Sequence, residues 1–259
     1  MHPVLGLFQS EQSEDFSLRF RTVHLDFSCF IKAFLLILLS ALIVAPCPAK
    51  KITEKQLKFN LVFGGQILKL DPNGSLLNLG DSLQIETIRF YVFGIELLQN
   101  TRSVWKEANS FHLLDGSVAS SLTLPLQIEN NLSFNRLRFV IGIDSAVNSS
   151  GAMGGDLDPT KGMYWTWDNG YINVKLEGRS ALCKTKDQQF QFHLGGYRKE
   201  VNTAMVLEFP SSANSDMSIE VDIKAFFSKL DLSKTNQIMS PGKEAVLLSQ
   251  YFAQCIRFQ

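Results

Sequence analysis

Short runs of alternating apolar and polar side chains recur through residues 50–259. Leu57, Phe59, Leu61 and Phe63 fall on one face of an extended segment, with Lys58 and Asn60 on the other. Leu137, Phe139, Ile141 and Ile143 alternate with Arg136 and Arg138, and Ile172, Val174 and Leu176 with Asn173, Lys175 and Glu177. Phe190, Phe192 and Leu194 alternate with Gln191 and His193, and Met217, Ile219, Val221 and Ile223 with Ser218, Glu220 and Asp222. Period two with one apolar face predicts half-buried strands. Two more strands are expected within Ile85–Leu98 and Val201–Phe209. Turn signals at Asp71 to Gly74, Asn100-Thr101, Asn130-Asn131 and Ser211 to Asp216 separate the runs. The sum is an all-β fold, an antiparallel β-sandwich.

One segment has helical period. Ser240 is placed to cap and Pro241 to open a helix in which Ala245, Leu248, Phe252 and Cys255 form one apolar stripe. Gly142 to Arg179 begins without simple alternation, is rich in Gly, Asn, Asp and Ser, and then carries Tyr164, Trp165 and Trp167. A long loop of this composition inside a compact domain is expected to be functional.

Residues 1–49 read differently. Ala33 to Ala45 is an unbroken apolar run after Lys32, shorter than the roughly 20 residues of a membrane span and matching the centre of a secretory signal. Ala49 stands at a plausible cleavage position, so residues 50–259 are expected to form the exported domain. The acids at 11, 14, 15 and 26 are unusual ahead of such a run and suggest that translation starts further downstream. Cys47 invites a lipid anchor, against which Pro46 argues. An oxidising compartment gives Cys183 and Cys255 a reason to pair; two separate buried thiols are the alternative.

Composition narrows the function further. The 25 Lys+Arg balance 25 Asp+Glu, which argues against a nucleic-acid footprint. The apolar fraction of 45% excludes disorder as the main state. No Gly-x-Ser-x-Gly, His-Glu-x-x-His, Walker loop or Cys-x-x-Cys occurs, so the chain is not expected to be an enzyme. Asp144, Asn148, Asp156 and Asp158 could gather oxygens around calcium, or could simply form turns.

The loop and its flanks resemble the MbnP-like family of periplasmic copper-binding proteins associated with methanobactin-type systems. The resemblance rests on Ile141 to Gly151, Leu157-Asp158-Pro159, GMYWTWDNGYINVKLEGR (162–179) and FHLGGY (192–197). RFYVFGIELL (89–98), FHLLD (111–115), VDIKAFF (221–227) and IMSPGKEAVLLSQYF (238–252) match more weakly. The resemblance implies a sandwich holding copper through histidines, with an oxidised tryptophan (kynurenine) at the site and a di-haem partner related to cytochrome c peroxidases. His112 and His193 match family positions; Trp165 and Trp167 are the candidates for oxidation. Many relatives carry a third histidine where this chain has Leu61, so a metal-free binding or scaffold module is the competing expectation. Two imidazoles can hold Cu(I), with Met153, Met163 or Cys183 as possible sulfur helpers. Taken without the resemblance, either histidine, like the two tryptophans, could be structural.

Overall fold

A computed structural model describes residues 50–71, 77–78, 83–168, 170–213 and 215–259. The secretory run, Cys47 and the turn at Pro72 to Gly74 lie outside the described residues. The strands among the described residues are, in chain order, β1 (Ile52–Phe63), β2 (Gln66–Ile67), β3 (Leu77–Asn78), β4 (Leu83–Gln99), β5 (Arg102–Lys106), β6 (Phe111–Asp115), β7 (Thr123–Glu129) and β8 (Arg136–Ile141). There follow β9 (Tyr164–Trp165), β10 (Gly170–Ser180), β11 (Gln189–Gly195), β12 (Met205–Pro210), β13 (Met217–Asp222), β14 (Gln237–Ile238) and β15 (Ile256–Phe258). Among the described residues the α-helices are α1 (Ser145–Ser149), α2 (Ile223–Phe227) and α3 (Lys243–Gln254). None is long and apolar enough to cross a membrane.

The strands form a mainly-β sandwich of two sheets. β1 organises the smaller sheet, pairing with β7 over its first half and with β2 at its end, both antiparallel. Gly64 and Gly65, at φ +58° and +82°, make the tight turn between β1 and β2. Against β13, β1 runs parallel, so the pairing is not antiparallel throughout. β11 and β14 are parallel as well.

The larger sheet hangs on β4, 17 residues long. Arg89 and Phe90 pair with both β6 and β10, and Val92 and Phe93 with both β6 and β8. β8 and β10 therefore follow one another along the same edge of β4, with β6 on the opposite edge. Gly94, at φ +64°, sits in the register break where β4 bends. β12 continues the β8 wing and β11 the β10 wing. Helix α3 packs against both β11 and β12, bridging the fork.

The predicted apolar faces meet between the sheets. Phe59 touches Phe90 and Phe139 edge-on, and Phe252 of α3 touches Phe90 and Phe226. Ala245, Leu248, Phe252 and Cys255 are buried as the stripe required. The helix itself begins later than its sequence suggests, with Gly242 rather than Ser240 in the N-cap position. Cys183 and Cys255 are both buried and free, the arrangement of two separate thiols. Each is enclosed by the main core as a small apolar side chain.

Candidate functional site

The long loop leaves the fork after β8 and folds over the outer face of the larger sheet. There it builds a second, smaller core from Tyr91, Leu113, Ile143, Leu157, Met163, Trp165, Tyr171 and Ile172. Two buried amides fasten it. Asn173 Oδ1 accepts the Ile143 N–H at 3.0 Å, while its Nδ2 donates to Thr203 Oγ1 at 2.8 Å. Asn148 Oδ1 accepts the Tyr171 N–H at 2.8 Å, and its Nδ2 donates back to the carbonyls of Ile143 and Asp144. The Tyr91 and Tyr171 hydroxyls donate to the carbonyls of Asp156 and Leu157. Burial raises the pKa of both phenols, keeping them protonated donors.

The oxygens considered for calcium have separate local tasks. Asp144 caps α1 through the Val147 N–H. Asp156 accepts the Leu113 N–H and pairs with Lys161. Asp158 accepts from Thr160, both N–H and hydroxyl, and these bonds hold its carboxyl below the usual range. Asn148 is the loop fastener already described. Among the described residues no three His, Cys, Asp or Glu side chains are gathered for a metal ion.

The two histidines occupy different faces. His193 lies opposite Lys175, which lies opposite Arg89, and Arg89 opposite Asp115, giving one row across four strands on the outer face. His112 lies opposite Val92, three residues along β4 from Arg89, so it belongs to the inward face. Three strand spacings and three residues of rise separate their Cα atoms by roughly 17 Å. One metal ion cannot take both rings, because metal–nitrogen bonds are about 2 Å long.

Each imidazole has its own carboxylate. His112 Nε2 is 2.8 Å from Glu107, which also accepts from the Ser110 hydroxyl. That ring borders an open cleft of about 510 Å³ that runs round β6, lined by Arg89 and Asp115 of the outer row and by Leu124 of the core between the sheets. His193 Nε2 is 2.7 Å from Glu177 Oε1. Burial alone would raise Glu177, but His193, Lys175 and Thr87 outweigh it and hold the carboxyl below its ordinary value. Lys175 Nζ stands 3.6 Å from Glu177 and 3.4 Å from the Gly162 carbonyl, tying the dyad to the turn before Met163.

The tryptophans are on the His193 side. Gly195 shares the outer face with His193, and a Cβ there would lie 2.6 Å from Trp165 Cζ3, so the indole rests directly on this backbone. Trp165 is 6% exposed and Trp167 62%, with ring centroids 5.5 Å apart. Met163 is fully buried in the same cluster as Trp165, whereas Cys183 belongs to the core between the sheets. Met153 is largely exposed, and its N–H donates to the Tyr171 hydroxyl. Leu61 is buried in the main core.

The sequence profile of the MbnP family matches residues 53–240. The chain belongs to the MbnP family. MbnP from Methylosinus trichosporium has a similar fold, with a TM-score of 0.51 at 18% identity, over 74% of this chain and 83% of that one. No curated protein matches the sequence. The match takes in both histidines and the tryptophan-bearing hairpin of β9 and β10. Asn173, Lys175 and Glu177 entered the sequence reading only as the polar side of a strand. Pairing β10 with β11 by face would have set Glu177 beside His193; Glu107 carries no comparable signal.

Proposed function

We propose that this MbnP-family protein handles copper as an exported protein, and that His193 is its copper-facing imidazole. The observation that carries the reading is the seat of Trp165 on Gly195, two residues from His193 and on its face. It sets the histidine-with-tryptophan pairing that the family resemblance implies on one side of the sheet. The donor chemistry fits a soft, low-coordinate ion at one imidazole. Nε2 is engaged by Glu177, Nδ1 makes no hydrogen bond among the described residues, and Met163 shares a buried cluster with Trp165. It does not fit a site made of His112 and His193 together. Copper, when bound, supplies a Lewis-acidic or one-electron centre; the protein's part is to orient the imidazole and exclude water from Trp165. A di-haem partner of the cytochrome c peroxidase class oxidises one ring of the Trp165–Trp167 pair, and Trp167 is the ring a partner surface can touch.

Competition of the purified protein against a Cu(I) chelator tests the reading. His193→Ala is expected to abolish binding and His112→Ala to leave it unchanged. Wild-type protein that takes no Cu(I) favours the second reading, a metal-free module, for which Leu61 and the opposed histidines speak. Peptide mass mapping shows the oxidation as gain of one oxygen and loss of one carbon at a tryptophan.

A further inference from the structure

We infer that Glu177 is a positioning residue that fixes His193 in its Nε2–H form, making Nδ1 the only nitrogen it can offer a metal. The inference rests on the copper reading for its use, but not for its geometry. An ionised carboxylate has no proton to give, so the hydrogen atom in the 2.7 Å contact belongs to His193 Nε2. That bond leaves the lone pair of the neutral ring on Nδ1. The side chains are well shielded, at 9% exposure for His193 and 19% for Glu177, so water competes poorly for the bond.

The neighbours hold Glu177 in this role. Its strand position places it on the outer face between Thr87 of β4 and Gln191 of β11, one step along from the Lys175–His193 pair. Lys175 approaches its other oxygen and also reaches the Gly162 carbonyl. Arg89, which pairs with Asp115, donates Nη1 to the Lys161 carbonyl at 3.1 Å. The same polar row therefore sets both the ring form of His193 and the turn that delivers Met163 and Trp165. Carboxylate partners of metal-bound imidazoles act in this way, and their loss commonly lowers metal affinity by about 10–100-fold.

The test is a long-range proton–nitrogen correlation spectrum of the full exported protein, which reports which ring nitrogen of His193 carries the proton. The proton is expected on Nε2 of His193, and Cu(I) is expected to move the Nδ1 resonance alone. Glu177→Ala is expected to give a mixture of ring forms and a roughly 10–100-fold loss of Cu(I) affinity. Glu177→Gln, which can still accept the bond, is expected to keep the Nε2–H form. A proton on Nδ1 in the wild type, or an unchanged ring form in Glu177→Ala, overturns the inference. Because the wild-type spectrum needs no variant, a variant that misfolds does not spoil the test. An Nε2–H ring in protein that takes no Cu(I) overturns the copper reading and leaves the positioning assignment standing.

Discussion

Asn173 Nδ2 donates to Thr203 Oγ1 at 2.8 Å, and neither side chain is exposed to water. Thr203 in turn donates to the Gly196 carbonyl, so the bond joins the start of the loop to the chain beyond His193. Replacing Asn173 with Ala orphans the buried Ile143 N–H and removes the donor to Thr203 Oγ1, whose own hydroxyl keeps its bond to Gly196. A loss of about 1–3 kcal/mol is expected in urea unfolding. The loop should also become the first region to exchange its amide protons.

Gly195 is expected to tolerate no side chain. Its added Cβ would lie 2.6 Å from both Trp165 Cζ3 and the Tyr171 carbonyl, so Gly195→Ala must shift backbone as well as ring. Overpacking of this kind costs about 1–3 kcal/mol. Tryptophan fluorescence should move to longer wavelength as the indole is pushed outward. Gly154→Ala is the control: nothing lies within 4 Å of its added carbon, and a change within about 0.5 kcal/mol is expected.

The thiols give a pH prediction. Burial pushes Cys255 from an ordinary 9.0 up to about 11, and raises Cys183 as well. Because the folded-state values are the higher, the protonated thiols stabilise the fold fully below pH 9, and this contribution is lost as pH rises from 9 towards 11. Native protein at pH 8 should leave both cysteines unlabelled by a maleimide. Both should label in denaturant without a reducing agent, whereas an unlabelled pair there would mean a disulfide.

The outer face carries a second row, Lys106, Glu96, Arg138 and Glu208, alternating in charge across β5, β4, β8 and β12. Its contacts of 3.1, 3.5 and 2.7 Å are partly open to solvent. Glu96→Gln is therefore expected to cost less than about 1 kcal/mol in thermal unfolding at low salt, and still less in 1 M salt.

The strands were legible because each buries one face. Leu137, Phe139 and Ile141 could be assigned to the core without any partner in view. Pairing was not: nothing in the alternation of Leu57 to Phe63 says whether Met217 to Val221 runs parallel or antiparallel beside it. The second core was hidden for a related reason. Tyr91, Leu113 and Tyr171 stand where a solvated face would be polar, and they are apolar because the loop covers them. Leu113 and Leu114, buried on opposite faces, were the visible trace of that cover. The histidines suffered most. Phe192 and Leu194 set the face of His193, but FHLLD has no alternation to set that of His112, and only the register with Val92 does so.

X-ray absorption at the copper edge of Cu(I)-loaded protein tests the central claim most directly, because multiple scattering counts the imidazoles bound to the metal. One imidazole, lost in His193→Ala, is the expected result. Two imidazoles in a monomeric protein would contradict the separation of His112 from His193 on opposite faces of the sheet.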